Sequence, residues 1–134
     1  MHSLGLVVAR FYDDLAMEME EHAHEAAAER GAEISETIPV PGAYDAPLAA
    51  DRLARRESIA AVAVLGAVVS GDTDHDQVIA RSAAKGLTDV SLDRDTPVSF
   101  GVVGPGMSSA EARERADKGA EAVATAVDMV EALA

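Results

Sequence analysis

His75 is the residue of this 134-residue chain whose neighbours most resemble a reaction site. It follows the stretch Ala63-Val-Leu-Gly-Ala-Val-Val-Ser-Gly-Asp-Thr-Asp74. That stretch begins as an apolar run without alternation, the pattern of a strand buried on both faces of a parallel sheet. It breaks at Ser70-Gly71 and continues with Asp72, Thr73 and Asp74, residue types that cap helices. A buried strand that turns into a capped helix aims backbone N–H groups at the strand's carboxyl end. The Gly71-Asp-Thr73 turn is therefore able to hold an anion. His75, in the first helical turn, exchanges a proton near neutral pH. His2, His22 and His24 have no such setting and read as surface residues. Asp72, Asp74 and Asp76 read as part of an acidic surface rather than as metal ligands.

Arg115 and Lys118 are a second feature, expected one turn apart on the last helix. Two roles fit them: ion pairing of Arg115 with Glu111 or Glu114, or binding of a phosphate, which a guanidinium fork matches well. The two phenylalanines, Phe11 and Phe100, are expected at or just inside the carboxyl ends of strands one and four. Each fits core packing. At a sheet edge a ring is also a stacking platform for a heteroaromatic ligand, the role favoured for Phe11.

The elements that must position these residues follow from the hydropathy pattern. Strand one is expected at Leu4–Ala9, with an Asp of Asp13-Asp14 capping a helix over Leu15–Arg30 that Gly31 stops. A more polar strand two, Glu33–Val40, carries Pro39 and belongs near an edge. After the loop Pro41–Pro47 a helix runs to about Arg56. Strand three covers Ile59–Val69 and helix three Thr73 to about Asp93. Strand four covers Pro97–Val103. Gly104-Pro105-Gly106 makes a turn, Ser108 or Ser109 caps, and one helix continues to the C-terminus. In it Ala112, Ala116, Ala120, Val123, Val127 and Val130 share a face. Four strand–helix alternations imply a single domain over residues 1–134, of three-layer α/β/α form around a four-stranded parallel sheet.

Composition narrows the class further. Hydrophobic residues make up 49% and aromatic residues 3%, so the core is aliphatic, and the absence of Cys excludes thiolate chemistry and disulfides. With 24 acidic residues against 11 basic ones the net charge is −13, which argues against a phosphate-neutralising nucleic-acid face. Two of the basic residues, Lys85 and Lys118, are lysines. Acidic excess with scarce lysine suits a protein kept soluble in concentrated salt, where the Debye length shrinks to ~3 Å at 1 M. No apolar stretch reaches the ~18 residues of a membrane span. No basic segment precedes the first apolar run, so a cytoplasmic location is expected.

Taken together, these residues resemble the 6,7-dimethyl-8-ribityllumazine synthase family in its archaeal form. The resemblance is carried in order by Arg10-Phe11, Val40-Pro-Gly-Ala-Tyr-Asp-Ala-Pro47, Leu65-Gly-Ala-Val-Val-Ser-Gly-Asp-Thr-Asp-His-Asp76 and Ala84-Lys-Gly-Leu87. It continues through Pro97-Val-Ser-Phe-Gly101, Gly104-Pro-Gly-Met107, Glu114-Arg115 and Gly119. It implies a flavodoxin-like sheet and a transferase acting in riboflavin biosynthesis. The enzyme condenses 5-amino-6-(D-ribitylamino)uracil with 3,4-dihydroxy-2-butanone 4-phosphate, without metal or organic cofactor. By the same resemblance Phe11 would stack on the pyrimidinedione, and Gly42, Ala43 and Asp45 would line the ribityl pocket. The backbone of Val68 and Val69 would pair with the uracil edge. Gly71, Asp72 and Thr73 would cradle the phosphate, with Arg115 as cationic partner and Lys118 near it, and His75 would shuttle protons. Phe100 and Arg115 would come from a neighbouring subunit, making a pentamer the minimal unit, alone or built into a decamer or a 60-subunit shell. Asp45 and Asp72 stand where the family usually has Glu. Alternative readings are an archaeal-type riboflavin synthase paralogue and a non-catalytic phosphate- or flavin-binding or shell-forming module.

Overall fold

The computed structural model describes residues 1–134. Its strands are β1 (Ser3–Ala9), β2 (Glu33–Val40), β3 (Ala61–Ala67) and β4 (Val98–Val103), all parallel and in the order β2-β1-β3-β4. The helices are α1 (Asp13–Glu29), α2 (Ala46–Ala54), α3 (His75–Arg94), α4 (Ser109–Arg113) and α5 (Lys118–Leu133), with one 3₁₀ turn at Ala43–Asp45. This is the three-layer, flavodoxin-like α/β/α arrangement expected from the alternation, and β2 lies at an edge as its polarity required.

Strand periodicity divides the core into two. Leu4, Leu6 and Val8 of β1 and Ala61, Ala63 and Leu65 of β3 face one side, where α1, α4 and α5 cover them. Val7, Val62 and Val64 face the other side, under α2 and α3. Small residues let the layers close up. A Cβ on Gly119 would fall 2.1 Å from the Met19 carbonyl oxygen, so α5 rides directly against α1. A Cβ on Gly86 would fall 2.9 Å from Pro47, with the same consequence for α3 against α2. The buried Ser99 hydroxyl donates to the Ala122 carbonyl at 2.7 Å and ties β4 to α5.

Three expectations are corrected. The C-terminal helix is two helices. Successive i→i+3 bonds, Arg115 N–H to Ala112 at 3.0 Å and Lys118 N–H to Arg115 at 3.0 Å, turn the chain between α4 and α5. The turn lets Ala112 and Ala116 stay on the core while α5 swings onto α1 at Gly119. Secondly, α1 has Tyr12 at its N-cap with no side-chain cap bond. Asp13 and Asp14 lie inside the first turn, where their charge complements the helix dipole. Thirdly, α3 starts at His75, two residues later than expected, and Asp74 occupies the N-cap without a side-chain bond. Of the two candidate serines before α4, Ser108 is the cap. Its hydroxyl accepts from Glu111 N–H and its own N–H donates to the Glu111 carboxylate, both at 3.1 Å.

Candidate active site

All four strands run towards one edge, and the loops after β1, β2 and β3 meet there. Between them lies a cleft of about 390 Å³. Phe11 and Tyr12 from the loop after β1 form one wall. Pro41 to Asp45, following β2, form a second, and Ala67 to Val69 with the start of α3 form the floor and far side. Nine of the thirteen residues singled out in the sequence line this one space: Phe11, Gly42, Ala43, Asp45, Val68, Val69, Gly71, Thr73 and His75.

Each wall has a local cause. Phe11 is 74% exposed, which rules out core packing. Its ring meets Tyr12 edge-on, with centroids 5.0 Å apart at 74°, so it is supported from behind and leaves a face open. The second wall is shaped by Asp45, whose Oδ2 accepts the Gly42 N–H at 3.1 Å and closes the 3₁₀ turn. At the floor, β3 ends at Ala67. Val68 still donates its N–H to the Val103 carbonyl at 2.9 Å, whereas Val69 leaves the ladder. The Val68 carbonyl is packed against Gly104, which has φ +93°; a Cβ there would lie 2.0 Å from that oxygen.

The turn after β3 presents unused donors. The N–H groups of Gly71, Asp72 and Thr73 donate to no group of the chain, while His75 N–H bonds the Thr73 hydroxyl at 3.3 Å. Free amides in the turn that leads into a 20-residue helix make an electropositive end suited to an anion. His75 is the first residue of that helix and its side chain is exposed into the same cleft. No three of the local Asp and His side chains are grouped to hold a metal. The cleft has no lysine or arginine in its walls, and two carboxylates, Asp45 and Asp76, do line it.

Four residues lie elsewhere. Asp72 is exposed and does not line the cleft. Phe100 sits mid-strand in β4, paired with Val64, not at the carboxyl end; it is 36% exposed on the free edge of the sheet. Arg115 and Lys118 border a separate recess of about 360 Å³ beside Gly104 and Met107, beyond the end of β4. Arg115 occupies the α4–α5 turn rather than a helix. Its guanidinium donates to the Glu111 carbonyl at 2.8 Å instead of pairing with a carboxylate. Lys118 pairs with Glu121 at 3.3 Å. The Glu111 carboxyl is held below the usual range, chiefly by the Ser108 N–H, then by the Ser108 hydroxyl, with Arg115 adding to it.

Asp76, which the sequence places with the surface charge, is buried instead. It is 7% exposed, and its Oδ2 accepts the Gly106 N–H at 3.0 Å and the Ser70 hydroxyl at 3.4 Å. Its partner lies 30 residues downstream, so only its place one residue after a helix start could have hinted at an inward direction. Tyr12, Tyr44 and Ile79 also line the cleft without having been singled out.

An aliphatic flavodoxin-like domain with one small-molecule cleft across the carboxyl ends of its strands defines an α/β enzyme of the open-sheet type. Comparison with known sequences narrows this. The profile of 6,7-dimethyl-8-ribityllumazine synthase matches residues 2–134. A 6,7-dimethyl-8-ribityllumazine synthase from Halorubrum lacusprofundi is 65% identical over 133 residues, 99% of each chain. One from Halobacterium salinarum is 64% identical over 133 residues, 99% of this chain and all of its own. One from Methanosarcina barkeri is 47% identical over 131 residues, 98% of each chain. The chain belongs to the 6,7-dimethyl-8-ribityllumazine synthase family.

Proposed function

We propose that the chain condenses 5-amino-6-(D-ribitylamino)uracil with 3,4-dihydroxy-2-butanone 4-phosphate, giving 6,7-dimethyl-8-ribityllumazine, inorganic phosphate and water. The observation that carries the reading is the single cleft that joins an exposed aromatic face, a polar turn, strand-end backbone and unpaired helix-start amides to one histidine. The Phe11 ring stacks on the pyrimidinedione, and the backbone of Val68 and Val69 pairs with its polar edge. Gly42 and Ala43 leave room for the ribityl chain. Asp45 spends Oδ2 on Gly42, and its other oxygen is available to a ribityl hydroxyl. The amides of Gly71, Asp72 and Thr73 receive the phosphate.

The chemistry asks for orientation, charge stabilisation and a mobile proton. The uracil amine adds to the ketone, and loss of water gives an imine. Removal of a proton from the adjacent carbon expels phosphate, whose leaving is eased once its charge is held. The resulting enol takes a proton to become a ketone, the ribityl-bearing nitrogen closes the ring, and a second dehydration completes it. His75 takes and returns these protons.

A phosphate bound in a cleft with two carboxylates and no cation needs a positive partner from outside that cleft. Arg115, on the rim of the recess beyond the edge strand β4 and without a carboxylate partner, would serve a neighbouring copy. Lys118 shares that recess, and Phe100 is exposed on the same edge. The working form is thus a ring of subunits, five by family resemblance, with sites between them. The acidic excess, 24 acidic residues against 11 basic, supports a working environment of concentrated salt.

The test is direct. Protein in molar KCl is mixed with both substrates, and lumazine fluorescence and released phosphate are followed, with light scattering for the assembly mass. Both signals rising together is the expected result. Riboflavin from lumazine alone, or silence in both channels, would overturn the proposal in favour of the paralogous synthase or a binding module respectively.

A further inference from the structure

Asp76 is the sole carboxylate among the buried residues, and it stands in the first turn of α3, on the lining of the cleft. Burying a carboxylate is costly unless it is well bonded, and its charge opposes an anion seated nearby. Its hydrogen bonds suggest what offsets that cost. Oδ2 accepts the Gly106 N–H at 3.0 Å and the Ser70 hydroxyl at 3.4 Å. The Ser70 N–H in turn donates to the Met107 carbonyl at 2.9 Å. Ser70 and Asp76 are the two ends of the segment that carries the free amides, and both are fastened to the same turn after β4. Between them the segment has a single internal bond up to His75, from His75 N–H to the Thr73 hydroxyl. Its shape is accordingly set at its ends.

We propose that Asp76 is a positioning residue for the phosphate-bearing substrate. It closes the 70–76 segment onto the Gly106–Met107 turn so that the amides of Gly71, Asp72 and Thr73 converge on one oxyanion. It acts as an acceptor, not through its charge, and does not itself touch the phosphate. This rests on the phosphate site given under Proposed function.

Two substitutions separate acceptor from charge. Asp76→Asn keeps an oxygen for the Gly106 N–H, whereas Asp76→Ala keeps none. In molar KCl, Asp76→Ala raises the KM for the butanone phosphate about tenfold and leaves that for the uracil within about twofold. Asp76→Asn returns the first KM to within about threefold of wild type. Binding of inorganic phosphate alone, read by calorimetry, follows the same order without needing turnover. Equal rises in both KM values, failure of Asn to rescue, or wild-type phosphate binding by Asp76→Ala would each overturn the proposal. If Asp76→Ala does not fold by circular dichroism, Ser70→Ala is read in its place, with a rise of about threefold expected and none refuting. Wild-type protein that makes no lumazine would defeat the assigned reaction, while the order of phosphate binding among the variants would still decide the role of Asp76.

Discussion

Gly104 offers a test in which distance alone sets the expected effect. Its Cβ, if present, would lie 2.0 Å from the Val68 carbonyl oxygen and 3.1 Å from the Val68 carbonyl carbon. A carbon approaches a carbonyl oxygen to about 3.3 Å at closest. In Gly104→Ala, therefore, either the turn or the end of β3 must move by more than about 1 Å. The residue also has φ +93°, which costs a side chain on the order of 1–2 kcal/mol. Strain and displacement together amount to about 2–4 kcal/mol, a loss of about 8–15 °C in Tm for a domain of this size. The displaced group is the one assigned to the uracil edge, and a misplacement of about 1 Å costs up to 10²-fold in rate. Gly31→Ala supplies the control. Gly31 has φ +65° but nothing within 4 Å of its Cβ position, so it carries the strain without the collision. Thermal melts in molar KCl, with steady-state kinetics varying each substrate in turn, give the comparison. Gly104→Ala should lose kcat/KM for the uracil by at least about tenfold, and Gly31→Ala should be kinetically silent. If the two variants matched in Tm and in kcat/KM, the account of the Val68 carbonyl as a fixed wall of the site would be wrong.

Three further outcomes are expected. Arg115→Ala should raise the KM for the butanone phosphate by about 10²-fold while the uracil KM stays within about twofold; equal changes in steady-state assays would reject its assignment. His75→Ala should slow turnover by ~10²-fold, and a change under about threefold would reduce the residue to a contact. Asp51 joins α2 to α3, with Arg94 Nε at 2.8 Å and Arg55 Nη2 at 2.7 Å. Its carboxyl is held below the usual range, first by the Arg94 hydrogen bond, against opposing burial, and then by Arg55. A depressed folded value means that the stabilisation is present above the unfolded value, about pH 3.9, and is lost as pH falls through the folded one. Asp51→Asn should thus lower Tm by about 3 °C at neutral pH, less in molar salt, and the gap should close as pH drops below about 4. A gap independent of pH in melts from pH 3 to 7 would reject the ion-pair account.

Much of this was legible because it is local. The unalternating β3 run, the polar β2, Gly31 at positive φ and Ser108 at the α4 cap each announce themselves within a few residues. The cleft was legible for the same reason: its walls are the segments that follow three strand ends, each with its own turn chemistry. What escaped notice is imposed from a distance. No Gly or Pro marks the bend at residues 114–117, since it arises from the seating of Gly119 on Met19 of α1. Asp76 resembles Asp72 and Asp74 in a chain with 24 acidic residues, and only the Gly106 N–H distinguishes it. Phe100 lies three residues inside the end of β4, deeper than expected, although the strand itself ends at Val103 as expected.

The electrostatics also explain why so acidic a chain can serve an anionic substrate without a basic surface. In molar salt, charges farther apart than ~3 Å are largely screened, so neither the repulsion of surface carboxylates nor the attraction of a distant lysine reaches the cleft. What survives is contact. Backbone N–H groups of Gly71, Asp72 and Thr73, in the turn before α3, keep their direction and partial charge at any ionic strength, and they are free of partners within the chain. A guanidinium whose sole hydrogen bond is to a carbonyl keeps its full charge available to a phosphate at touching distance. A site composed of donors in direct contact is therefore the kind that tolerates a net charge of −13 around it. The same reasoning gives the proposed intersubunit arrangement a physical motive. Within one chain the amides and Arg115 line two different recesses, and adding a neighbour is what would bring both donor sets onto a single phosphate.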